Sequence, residues 1–210
     1  MIKISDRRPF AGGAKRDIYF HPQDPSKIIK VIPPSKSPET LHSQKFWVRR
    51  MLQAPETFNA NRTESEKFDK LKKKLGDLHK VLPHLVPYFG KTDTDLGEGL
   101  VFEAIKNYDG EISENVKDAS ETGGYNKATL LEALKEFAVH KHDAVIFNDV
   151  GKNNIVIQVL NADHSSYKLW IVDGINCGPI IPISEYSELY ASARKAKKIW
   201  QLKKFIVKNF

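Results

Sequence analysis

Cysteine is almost absent from this sequence. Its single copy, Cys177, rules out a disulfide framework, and a lone thiol without a partnered base argues against a thiol catalyst. No apolar run approaches membrane-spanning length, and Met1-Ile2-Lys3-Ile4-Ser5-Asp6 lacks the build of a signal peptide. A cytoplasmic location is the expectation. Internal repeats are missing. So are zinc-finger spacings and RNP-type aromatic motifs, so nothing marks a dedicated nucleic-acid reader. His140 and His142 stand two residues apart, which on a helix points them to different faces and argues against a metal pair.

What is present fits a compact α+β protein. A chain of 210 residues with 40% hydrophobic content can bury a good core in one domain or in two tightly joined lobes. The formal charge of +7 comes from lysine clusters at 70–74 and 194–208. The second cluster falls in a predicted helix, 184–207, with Ile199, Leu202 and Ile206 facing the protein and Trp200 and Phe205 helping it dock. Such a basic face is ordinarily a solvated one; it also admits an anionic partner, whether a phosphorylated ligand, an anionic lipid or a nucleic acid.

The most informative pair of segments is Phe147-Asn148-Asp149-Val150-Gly151-Lys152-Asn153-Asn154-Ile155-Val156-Ile157 and Leu169-Trp170-Ile171-Val172-Asp173-Gly174. The run Asn161-Ala162-Asp163-His164-Ser165-Ser166 between them reads as a turn, so the flanking strands can pair as a hairpin. That hairpin brings Asn154 and Asp173 to one edge. Magnesium and phosphoryl groups want hard oxygen ligands, which those two side chains provide, while Asp149 can accept a hydroxyl proton. The Asp149-to-Asn154 spacing is that of the protein-kinase catalytic loop, and Asp173-Gly174 stands where the metal-binding Asp-Phe-Gly would fall. Each piece alone is a common accident. Their order and context carry the reading.

Upstream, residues 9–20 read as strand, small-residue turn and strand, with Gly12 and Gly13 letting backbone N–H groups approach phosphates, or else making a simple hairpin turn. The β-branched run Lys27-Ile28-Ile29-Lys30-Val31-Ile32 puts Ile29 and Val31 on one face of a strand and Lys30 on the other, where it can pair with a nucleotide phosphate. An ordinary solvated edge lysine is the alternative. A predicted helix, 64–78, opens with Glu64, which either complements the helix dipole or positions Lys30. Glu66 shares its face with Asp69 and Lys70 and is the weaker choice. The strand 100–105 runs toward Tyr108-Asp109-Gly110, and backbone groups from Glu103 to Ile105 can meet an adenine edge. Residues 33–61 read as an insertion, with a helix over 41–52, and 127–140 as a helix with an apolar stripe.

On residues 9–22, 27–32, 62–64, 101–110, 149–157 and 172–173, the chain resembles the YrbL family of bacterial proteins, the PhoP regulatory network group of the protein-kinase-like superfamily. That resemblance implies a small two-lobed protein-kinase-like fold. An antiparallel N-terminal sheet (1–105) would be joined near 104–109 to a reduced helical C-terminal lobe (106–210) with a nucleotide site. ATP and Mg2+ are the implied cofactors, and the phosphoryl acceptor, a protein or a small molecule, is unnamed. Departures matter. Phe147-Asn148 replace the usual His-Arg, Asp173-Gly174-Ile175 lacks the phenylalanine, and Lys152 stands three residues after Asp149 rather than two. The stretch after Asp173 is too short for a peptide-docking lobe with an activation segment. Two functions stay open, a working ATP-dependent phosphotransferase acting on an acceptor hydroxyl (its own included) and a nucleotide-binding pseudokinase that regulates a partner. A basic nucleic-acid binder is a remote third.

Overall fold

A computed structural model describes residues 1–43, 58–139, 151–173 and 188–210. By internal contacts the chain divides into two units, 1–74 with 87–104, and 75–86 with 105–210.

The first unit is built on a five-stranded sheet. Its strands are β1 (Ala11–Gly12), β2 (Asp17–Phe20), β3 (Lys27–Val31), β4 (Tyr88–Thr94) and β5 (Gly97–Glu103), in the order β1-β2-β3-β5-β4. Every neighbouring pair is antiparallel. β3 is interior, with Lys30 opposite Ile18 on one side and Leu100 on the other. Strand alternation separates its faces. Ile29 and Val31 pack with Ile4 and Tyr19, backed by Ile2 and Leu96. Across from them Gly99 comes so close that a Cβ there would stand 2.5 Å from Ile29 Cγ2. Only a residue without a side chain fits at that crossing.

On the opposite face lies α2 (Ala60–Leu75), whose Phe68 ring meets Tyr88 at 4.6 Å and Phe102 at 5.6 Å. The helix starts four residues before its predicted onset at Glu64. Asn59 explains this, because its Oδ1 accepts from Arg62 N–H at 2.9 Å and its carbonyl from Thr63 N–H at 3.1 Å. It stops short of Leu78 because Gly76 turns left-handed, with φ of 75°. Glu64 therefore sits a full turn inside the helix, which removes the dipole-capping role. Before α2, a 3₁₀ turn (Pro34–Lys36) and α1 (Pro38–Ser43) occupy the start of the predicted insertion; most of the 41–52 helix lies outside the described residues.

The second unit combines α3 (Leu78–Val81), α4 (Val116–Thr122), α5 (Lys127–Val139) and α6 (Glu188–Asn209) with a hairpin, β6 (Ile155–Val159) and β7 (Tyr167–Ile171). Leu130, Leu134 and Phe137 of α5 are fully packed, as are Ile155, Ile157, Leu169 and Ile171 of the hairpin. The excursion 75–86 joins this core: Leu82, Leu85 and Val86 are buried, and Val86 N–H donates to Ile171 O at 3.0 Å while Ile171 N–H donates to His84 O at 2.7 Å. In α6, Leu202 and Ile206 face inward as expected, and Phe205 is half-buried. Trp200 is the exception. It is 59% exposed rather than docked.

Candidate functional site

Lys30 reaches a buried carboxylate. Its Nζ lies 3.5 Å from Glu64 Oε1, and the two residues are only 4% and 1% exposed. Because β3 has strands on both sides, the solvated-edge reading of Lys30 fails. The ammonium also stands 4.3 Å from the centroid of the Phe102 ring, a cation–π contact on the same face of the sheet. Glu66, by contrast, is exposed and bound to Arg62 Nε at 2.8 Å, which holds its carboxyl below the usual range.

Glu64 has a second cation. Arg16, itself 7% exposed, donates from Nη1 to Glu64 Oε2 and lies 3.5 Å from Asn61 Oδ1. Asn61 completes the arrangement. Its Nδ2 donates to Glu98 O at 2.8 Å and to Lys30 O at 3.3 Å, so the start of α2 is stitched to the backbone of β3 and β5. One carboxylate thus holds a cation on each oxygen, and an amide locks the helix that carries it. Removing ions from water costs several kcal/mol each, and only close pairing returns it. Neither Arg16 nor Asn61 stands out in the sequence. Arg16 follows a turn and reads as a surface charge, since its carboxylate lies 48 residues on.

The glycine turn is tied to the same cluster. Gly12 pairs with Asp17, and Gly13 N–H donates to Arg16 O at 2.9 Å, closing the turn 13–16. Both glycines are exposed and neither takes a positive φ; at Gly12 a Cβ would stand 2.9 Å from Asp17 Oδ1. Near the end of β5, Glu103 N–H donates to Pro87 O at 3.0 Å and Ala104 N–H to Ser26 O at 2.8 Å. Ile105 O accepts from Ser113 N–H at 2.9 Å, so several backbone groups singled out for an adenine edge have partners inside the protein.

In the second unit the hairpin has its expected form. Ile155 pairs with Ile171, and the ladder runs one residue further, with Val172 N–H donating to Asn154 O at 3.1 Å. Asn154 and Asp173 therefore flank the same end of the hairpin, both half-buried. Asn154 N–H donates to Gly151 O at 2.9 Å, forming a tight turn. Asp149 and Gly174 lie outside the described residues. Lys152 turns toward α6, its Nζ 4.4 Å from the centroid of the Phe205 ring. Among the described residues no cluster of three or more His, Cys, Asp or Glu could hold a metal. An amide oxygen and a carboxylate at one hairpin end do suit Mg2+, which takes one or two protein ligands and fills its shell with phosphate oxygens and water.

Comparison with known proteins agrees with this architecture. The PhoP regulatory network protein YrbL family matches residues 2–208. Relatives called "Uncharacterized protein YrbL", from Escherichia coli K12 and Shigella flexneri, are each 24% identical over 209 residues, covering 98% of this chain and 87% of theirs. Among solved structures, the Mycobacterium tuberculosis PknI kinase domain, crystallised as a double mutant, superposes with a TM-score of 0.52 at 12% identity. That match covers 94% of this chain and 71% of the PknI chain, and at such low identity it speaks for the fold alone. The fold is thus protein-kinase-like, and the chain belongs to the YrbL family.

Proposed function

We propose that this protein is an ATP- and Mg2+-dependent phosphotransferase acting on a hydroxyl acceptor. The observation that carries the reading is the Lys30–Glu64 pair, a cation and a carboxylate buried at 4% and 1% exposure on an interior strand and the helix beside it. Such a pair is expensive to keep for stability alone, because apolar residues of similar volume would serve as well or better. At a phosphate site it has a use: Glu64 fixes the ammonium, and the ammonium meets the oxygens of the triphosphate.

In this reading Asn154 and Asp173 would hold Mg2+, which would supply positive charge to offset that of the phosphates. Asp149 orients the acceptor hydroxyl and takes its proton as the oxygen–phosphorus bond forms, and ADP leaves with the electrons of the broken bond. Gly12 and Gly13 would let the backbone approach the phosphates, and the stretch from Glu103 to Ile105 would face the base.

The test needs no known acceptor, since autophosphorylation or slow ATP hydrolysis with labelled ATP suffices. Asp149→Ala should lower transfer by about a hundredfold to ten-thousandfold with nucleotide affinity nearly unchanged. Asp173→Ala should lower both. Transfer that never rises above the Asp149→Ala background with any divalent metal would refute the phosphotransferase.

A second reading has its own support. Phe147-Asn148 and Asp173-Gly174-Ile175 depart from the kinase pattern at the catalytic loop and the metal motif, as a nucleotide-binding pseudokinase would. ATP binding that needs no divalent metal, with no transfer, is its signature.

A further inference from the structure

The outward face of α6 lies outside the residues assigned to phosphoryl transfer above, and it is rich in lysine. Over 22 residues the helix carries six lysines and an arginine, while Glu188 at its first position is the lone acid. Its inward stripe is settled: Leu202 and Ile206 are 4% and 0% exposed, and Lys127 Nζ donates to Val207 O at 2.9 Å from α5. At about 100° per residue, the direction opposite that stripe holds Ala193, Ala196, Trp200 and Val207. All four are exposed, Trp200 at 59% and Val207 at 50%. Lys203 flanks this apolar line on one side, and Lys197, Lys204 and Lys208 flank it on the other, each exposed. Lys204 Nζ lies 5.3 Å from the Trp200 ring centroid, an ammonium held above the indole.

We infer that this face of α6 is a docking surface for an anionic phospholipid membrane, on which the helix lies flat. The charge is complementary: four exposed lysines on the face, no acid among them, and +7 over the whole chain. The geometry adds what charge alone does not. Lysines bordering a line of tryptophan, valine and alanine describe a helix whose apolar edge enters the acyl boundary while its ammonium groups stay at headgroup depth. Tryptophan prefers that boundary, where its ring is apolar and its N–H stays wet. A nucleic-acid surface would meet the same charge, but it gives an apolar centre such as Val207 and the alanines nothing to enter. The helix does not cross the bilayer, since no helix among the described residues is long and apolar enough.

The experiment uses the full chain and sedimented vesicles, either pure phosphatidylcholine or phosphatidylcholine with a quarter phosphatidylglycerol. The protein should pellet with the anionic vesicles and not with the neutral ones, and its tryptophan emission should shift to the blue. The shift should vanish in Trp200→Phe, with Trp47 and Trp170 left in place. Each basic residue near an anionic surface is worth about fivefold in affinity, so Lys203→Glu with Lys204→Glu should weaken binding by thirtyfold or more on that basis. Trp200→Ser, which leaves charge unchanged, should weaken it about tenfold. Lys72→Glu with Lys73→Glu on α2 makes the same charge change at exposed lysines elsewhere and sets the baseline for net charge.

Equal losses from the α2 and α6 reversals, or no loss from Trp200→Ser, would overturn the inference in favour of diffuse attraction. Equal pelleting with neutral vesicles would overturn it as well. Duplex DNA retained in place of vesicles, with sensitivity to Lys203→Glu and Lys204→Glu, would assign the face to nucleic acid. Trp200→Ser sits on an exposed surface and leaves the fold intact, so a failure to bind cannot be blamed on unfolding.

Discussion

Glu64→Gln is the most revealing single change in the first unit. The substitution keeps the size and removes the charge, leaving Arg16 and Lys30, at 7% and 4% exposure, facing an amide. Breaking a buried ion pair by neutralising one partner costs about 3–5 kcal/mol, because the remaining charge stays desolvated. For a chain near two hundred residues, 1 kcal/mol moves the melting temperature by about 2–4 °C. The expected fall is therefore roughly 6–20 °C, a large part of the ordinary stability of a domain. A thermal scan followed by far-UV circular dichroism reads the fall in temperature, and equilibrium unfolding in urea reads the loss in free energy. The double mutant makes the argument sharper. If Arg16 and Glu64 compensate each other, then Arg16→Gln added to Glu64→Gln should cost less than the sum of the two singles, by about 0.5–3 kcal/mol. A single-mutant loss below about 1 kcal/mol, the size of a surface pair, would refute the reasoning, as would strict additivity in the cycle. In either case Glu64 would not be holding two cations in a dry site.

Gly99→Ala pushes a methyl to within 2.5 Å of Ile29 Cγ2 and 3.3 Å of Val31 Cγ2; it should destabilise by about 1–3 kcal/mol, read as a drop in the urea midpoint. Burial first, then the carboxylates of Asp69, Glu64 and Glu98, push the Tyr88 phenol up to about 12. Because the folded value lies above the unfolded one, its stabilisation is complete below pH 10 and lost between about pH 10 and 12. Absorbance titration of wild type against Tyr88→Phe should show one phenol ionising in the upper half of that window. Asp95 accepts from Ser5 Oγ at 2.5 Å and from Ile4 N–H at 2.8 Å, and these bonds hold its carboxyl below the usual range. Asp95→Ala should speed hydrogen exchange at Ile4 and Ser5 and leave the hairpin β6–β7 untouched.

The strands β2, β3 and β5 and the hairpin β6–β7 were legible because alternation and β-branching leave a local trace: Ile29 and Val31 against Lys30 is a pattern within three residues. The protein-kinase-like fold itself was what the resemblance to the YrbL family implied. Three features left no such trace. β4 alternates half-buried with exposed residues and carries Lys91 and Asp93, so its polarity hid it. α4 spans only seven residues, and its start depends on Asn115 Oδ1 accepting from Asp118 N–H, a cap that also resembles a loop. Arg16 and Asn61 look like surface residues until α2 is laid across the sheet, since their burial is made by tertiary contact and not by neighbours in sequence. Trp200 misled in the opposite direction. An indole among apolar residues suggests a core, but its position on the helix turns it away from Leu202 and Ile206.

The excursion of residues 75–86 makes the two units inseparable in a way that linear order conceals. A fragment ending near residue 105 would hold the whole sheet and still drag along Leu82, Leu85 and Val86, stripped of the surfaces that bury them. The complementary fragment would present Ile171 with neither its donor from Val86 nor its acceptor at His84. Each half would be sticky for want of the other. During synthesis, the segment 75–86 must wait, exposed on a growing chain, until β7 emerges some eighty-five residues later. Selection can therefore trade side chains on either unit, but it cannot shuffle one of them into another protein without first re-routing the chain.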